Sequence, residues 1–212
     1  MNRHVITAED ADTILESGVK SIILHRDDVN ITDYHIIFNT LAKDNSNSEK
    51  EAVEHPKAQV VHAAFHGQVR EFVDELRKKF PQGALLLDIH GQASSADTIF
   101  RGTQNGTTVM KMVEQHGAVA LTGEQSILGY LATKGIKVSP ANTPPGTPPE
   151  TKSFGGGWIV RSYGSHTTNG VDAIQLEFGS SFRTDDQKRE ETAQFLAEAI
   201  KAYTEKYLAP KP

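Results

Sequence analysis

The chain has 212 residues, 37% hydrophobic and 23% charged, which fits a soluble globular protein of one domain that buries about 70% of its unfolded surface. Its 22 basic and 27 acidic residues give a net charge of −5, without the clustered positive charge wanted by nucleic acid or an anionic membrane. Zero cysteines exclude disulfides and thiolate metal sites, so any metal must use His, Asp or Glu, and the nine histidines allow that.

No apolar run approaches the roughly 18 residues of a membrane-spanning helix, and residues 1–7 lack the apolar core of a signal peptide. A cytoplasmic protein with no nucleic-acid or membrane partner is therefore expected. In chain order, Thr7 caps a first helix with Glu9 and Asp10 in its opening turn and Gly18 as its stop. Residues 20–25 read as a short strand and 32–42 as a second, weaker helix. Residues 43–54, centred on Asp44-Asn45-Ser46-Asn47-Ser48, read as an exposed loop.

Residues 57–80 carry the strongest helical pattern before the key strand. Val61, Phe65, Val69, Phe72, Val73, Leu76 and Phe80 fall on one face, and Pro81-Gln82-Gly83 ends the helix. His62 and His66 lie four apart and share a side. That spacing is compatible with metal binding, but the glutamate of a His-Glu-x-x-His pattern does not follow His62, and a packing or surface role is the plainer reading.

Gly83-Ala84-Leu85-Leu86-Leu87-Asp88-Ile89-His90-Gly91-Gln92 is the stretch that organises the rest. Its apolar run between turn formers reads as a central strand covered on both faces. Alternation puts Asp88 and His90 on one side and Ile89 on the other. Ligand sites in open α/β sheets lie beyond the carboxyl ends of the strands. His90 is thus the candidate functional residue, Asp88 can orient its ring, and Gly91 keeps the backbone there free of a side chain. A hydrogen-bonded structural histidine is the bland alternative.

Residues 97–101 read as a strand, followed by a turn over Gly102-Thr103-Gln104-Asn105-Gly106. Thr107 or Thr108 caps a helix that runs through Gln115 to Gly117, and a further helix spans 124–134 up to Gly135. Residues 136–138 suit a strand edge. Five prolines between Pro140 and Pro149 require an extended loop. Gly155-Gly156-Gly157 is either a hinge or a place of close backbone approach to a ligand. Residues 158–163 and 171–178 read as two more strands. The second carries Glu177 in an apolar run, where burial would raise its pKa toward that of a general base; an edge glutamate facing water is the alternative. Thr184 caps the last helix, whose apolar face is Phe195, Leu196, Ala199, Ile200, Tyr203 and Leu208. Strands alternating with helices point to an α/β three-layer sandwich with a mostly parallel or mixed central sheet.

Four blocks carry a resemblance: residues 85–92, Arg101-Gly102-Thr103-Gln104-Asn105-Gly106, residues 156–164 and Asp172-Ala173-Ile174-Gln175-Leu176-Glu177. With the helix from Pro56 through His66-Gly67 to Phe80, they are similar to the N-formylglutamate amidohydrolase family, from about residue 50 to the C-terminus. The resemblance implies a zinc-carboxypeptidase-like fold and a single hydrolase-like domain over 1–212, with 1–50 as a divergent N-terminal part and 51–212 as the family-like core. It also implies zinc-dependent cleavage of the amide of an N-acyl amino acid. His90 would be the zinc ligand and Glu177 the catalytic general base. Arg101 and Arg161 would bind the carboxylates of a small acidic substrate, as guanidinium groups do bidentately. Zinc would lower the pKa of its water to about 7. The family's other zinc ligands come from an N-terminal segment absent from residues 1–50, where His25-Arg26-Asp27-Asp28 is only a partial substitute. His62 and His166 are further candidates, since a catalytic zinc wants three protein ligands. Two readings compete with the amidohydrolase. One is a catalytically impaired or truncated homologue that keeps an acidic-ligand pocket without zinc. The other is an interaction module in which Asp88, His90 and Glu177 form an internal polar network.

Overall fold

The computed structural model describes residues 21–24, 36–39, 56–141 and 149–208. The sequence readings for residues 1–20, 25–35, 40–55, 142–148 and 209–212, including His25 and Asp28, lie outside them.

Among the described residues, six strands form one open mixed sheet in the order β1-β2-β3-β6-β4-β5, where β1 is Ser21–Leu24, β2 Ile36–Asn39, β3 Leu85–Gly91, β4 Thr98–Gly102, β5 Lys137–Ser139 and β6 Asp172–Phe178. β2, β3 and β6 run parallel, β4 runs antiparallel to β6, β5 parallel to β4, and β1 antiparallel to β2. The long helix α1 spans Pro56–Lys79. Between β4 and β5 come α2 (Met110–His116), α3 (Val119–Thr122) and α4 (Ile127–Thr133). α5 (Trp158–Tyr163) precedes β6, while α6 (Ser181–Thr184) and α7 (Asp186–Tyr203) follow it.

Helices cover both faces of the sheet, because its central strands are apolar on both sides. Leu85, Leu87 and Ile89 of β3 and Ile174, Leu176 and Phe178 of β6 share one core with Met112 of α2, Leu128 and Leu131 of α4, and Ala199 and Ile200 of α7. Leu86 and Ala173 face the other way, toward Val69, Val73 and Leu76 of α1 and Ile159, Val160 and Tyr163 of α5. Burial of each such aliphatic side chain is worth about 1.5–3 kcal/mol, so Val69, Val73 and Leu76 anchor α1 to the sheet. Alternation then fixes the polar residues as well. Asp88 and His90 of β3, with Gln175 and Glu177 of β6, lie on the α1–α5 side of the sheet.

Four local readings change. Residues 158–163 are helix rather than strand. Their aromatic and β-branched residues favour strands in isolation, but Ile159, Val160 and Tyr163 reach the core only when wound as a helix, and tertiary burial overrides propensity. Part of the expected helix 32–42 is instead the strand β2. Asp185, not Thr184, caps α7 by accepting from the Lys188 backbone N–H at 3.1 Å. Thr107 and Thr108 cap nothing: Thr108 Oγ1 donates to the Ala173 carbonyl at 2.6 Å and so ties that turn to β6.

Candidate functional site

The carboxyl ends of β3 and β6 carry a line of buried polar groups. Parallel register puts His90 opposite Glu177 and Asp88 opposite Gln175. Asp88 is fully buried, and His90, Glu177 and Gln175 are nearly so. The Gly157 backbone N–H donates to Gln175 Oε1 at 2.5 Å, and Gln175 Nε2 donates to Glu177 Oε1 at 2.8 Å. Glu177 Oε1 lies 3.9 Å from His90 Nδ1, and His90 Nε2 lies 2.9 Å from Asp88 Oδ2. This last contact is close but out of line for a hydrogen bond, so His90 Nε2 and both Asp88 oxygens have no hydrogen-bonded partner. Buried polar atoms left that way cost about 1–3 kcal/mol each. Here the closeness of the imidazole to two carboxyl groups reduces that cost.

The electrostatics follow from that geometry. Burial disfavours a charged His90, but Asp88, by charge and by contact, and then Glu177 outweigh it and raise the pKa. Burial raises Glu177 above the usual carboxylate range against the pull of His90. The pair therefore holds protons more tightly than the free side chains would.

Two further residues belong to this end of the sheet. Arg183 on α6 lies across Gly91, where a Cβ would meet its Nε at 2.7 Å, and its Nη2 donates to the Gln92 carbonyl at 3.1 Å. Its charge also favours the ionised form of Glu177. Sequence reasoning missed Arg183, and the readable signal was Gly91, whose missing side chain makes room for it. Gln175 was missed as well, although it sits two residues before Glu177 and so on the same strand face.

The two arginines read from the sequence lie elsewhere. Arg101 is buried, its Nε donating to Glu150 Oε1 at 3.1 Å and its Nη1 to the Leu121 carbonyl at 3.0 Å. Glu150 also accepts from Thr103 N at 2.8 Å, Thr103 Oγ1 at 2.5 Å and Asn105 N at 2.9 Å. Arg161 is exposed on α5, with its Nε on the Gly157 carbonyl at 3.1 Å. The triple glycine serves backbone packing: a Cβ on Gly102 would meet the Gly156 nitrogen at 2.3 Å. His166 is exposed.

Zinc does not fit the donors at hand. Asp88 faces one nitrogen of the His90 ring and Glu177 the other, so the two carboxylates flank the imidazole and cannot converge on one ion with it. Among the described residues no group of three His, Asp or Glu side chains is arranged to hold a metal, and a catalytic zinc needs three protein ligands.

Comparison with known proteins points in another direction. No family model matches the chain, and no solved structure matches it. It is 74% identical over 50 residues to the DNA-directed RNA polymerase subunit beta of Cytophaga hutchinsonii, 24% of this chain and 4% of the subunit. It is 57% identical over 51 residues to the same subunit of Flavobacterium psychrophilum, and 44% over 79 residues, 36% of this chain, to that of Phocaeicola vulgatus. The aligned parts span only 4–6% of those subunits.

These relatives point away from the N-formylglutamate amidohydrolase resemblance and overturn its implications: the amidohydrolase activity, the impaired-homologue alternative and the hydrolase character. The four blocks behind it are short, and short motifs recur by chance, whereas the polymerase identity runs through one 50-residue alignment. The expected partners, a small acidic molecule and no nucleic acid, are corrected too, since the named relatives are subunits of an enzyme directed by DNA. Among the described residues, no helix is long and apolar enough to cross a membrane.

Proposed function

We propose that this chain acts in bacterial transcription, as a protein that engages the RNA polymerase assembly through the segment it shares with the β subunit. The 74% identity over 50 residues carries this reading. At that level most side chains of a protein surface are retained, and so is the capacity to meet whatever that surface meets in the parent subunit. A cytoplasmic location goes with this role. The α/β sheet adds a polar end at β3 and β6, where the exposed Arg183 offers donors to a docking partner.

The test is competition. The full chain is mixed with polymerase subunits freed of β, and bound material is separated by size-exclusion chromatography. Co-elution that added β subunit displaces is the expected result. Absence of co-elution with both the β-free subunits and the complete polymerase would overturn the proposal.

A further inference from the structure

A second cluster of titratable side chains lies on the α1–α5 face, away from the residues of the buried polar line. His62 and His66 stand one turn apart on α1, half-buried, with ring centroids 4.1 Å apart. Tyr163 holds the ring of His66. The tyrosine hydroxyl lies 3.2 Å from the His66 backbone carbonyl, to which it can donate, and 3.1 Å from His66 Nδ1. With the hydroxyl proton on the carbonyl, Nδ1 carries the hydrogen and the lone pair of the neutral ring sits on Nε2. Burial first, then the neighbouring His62 and Arg70, lower the His66 pKa to about 3, so the ring is unprotonated across the physiological range.

These are the requirements of a metal-binding imidazole: a neutral ring, a spare nitrogen, an outer N–H held by an oxygen, and a second ligand four residues away on the same helix face. We propose that His62 and His66 form a two-histidine site for a late first-row divalent cation, with copper(II) favoured over nickel(II) and zinc(II). Water completes the coordination. Arg70 lies close enough to disfavour positive charge on His66, which weakens the site without removing its donors. Tyr163 is a positioning residue, acting through His66 Nδ1.

The protein carries its own reporter. Its one tryptophan, Trp158, has its ring 4.2 Å from the His66 ring and 5.9 Å from the His62 ring. Copper(II) titrated into the full chain near pH 7 quenches tryptophan fluorescence saturably, and zinc(II), which does not quench, raises the copper midpoint by competition. His62→Ala and His66→Ala each raise the midpoint roughly tenfold or more, and Tyr163→Phe raises it about tenfold. A His116→Ala/His166→Ala double variant leaves the midpoint unchanged. Because His66 is packed against Tyr163, circular dichroism checks each fold, and His62→Gln provides a second variant at the looser ring. Quenching that is unchanged in both His62 variants, or no saturable quenching at all, overturns the site.

Discussion

Two buried carboxylates in this protein are treated in opposite ways. Glu150 accepts four hydrogen bonds, from Arg101, twice from Thr103, and from Asn105. Glu177 accepts one, from Gln175, and faces His90 at 3.9 Å, with Asp88 beyond it unpartnered. A fully satisfied buried charge fixes a structure, and a partly satisfied one keeps hydrogen-bonding capacity in reserve. The first region accordingly reads as architecture that clamps the loop after residue 148 onto β4. The second reads as the place where the molecule has something left to bind.

The sharpest way to break this contrast is to remove the first carboxylate. Glu150→Ala strands the buried Arg101 guanidinium and should cost about 3–5 kcal/mol in urea unfolding; a loss under about 1 kcal/mol would erase the distinction. Gly102→Ala attacks the same clamp through the backbone. Its new methyl group meets the Gly156 nitrogen and the Phe154 carbonyl, and the expected loss is about 1–3 kcal/mol. Glu177→Gln, by contrast, keeps the volume and removes a charge with few partners, so its unfolding free energy at neutral pH should move by about 1 kcal/mol or less.

The finest test is pH dependence. The folded pKa of His90 and that of Glu177 both lie above their ordinary values of 6.5 and 4.5. A raised folded pKa means that the native state binds the proton more tightly than the unfolded chain. The resulting stability is fully present below the unfolded pKa and is lost as pH rises through the folded one. Wild-type stability should therefore contain a component that declines with pH from above 4.5 for Glu177 and from above 6.5 for His90. Glu177→Gln should remove the lower part and His90→Gln the upper. Superimposable pH profiles for wild type and Glu177→Gln would refute the assignment.

Much of the frame is legible in the sequence. The apolar spacing of Val69, Val73 and Leu76 marks α1, and the Leu85-Leu86-Leu87 run marks a strand covered on both sides, because period and burial are local properties of the chain. The meeting of His90 with Glu177 is legible only as a possibility, since it depends on which strands become neighbours. Glu150 was invisible: it follows a proline-rich stretch, and its partners lie 45 to 49 residues earlier. Residues 158–163 were misread because their propensity and their burial pull in different directions. The family resemblance failed at another level, since blocks of six to nine residues carry local chemistry common to unrelated proteins, and a 50-residue alignment outweighs them.

The opposition of His90 and Glu177 across two adjacent parallel strands has one more consequence. Their backbones are held at the ladder spacing of about 4.8 Å, so the gap between imidazole and carboxylate is set by the sheet and does not follow the loops around it. Rearrangement of a neighbouring segment can cover or uncover the two groups, but it cannot pull them apart. They behave as a fixed gauge, and a guest must conform to that distance rather than redefine it.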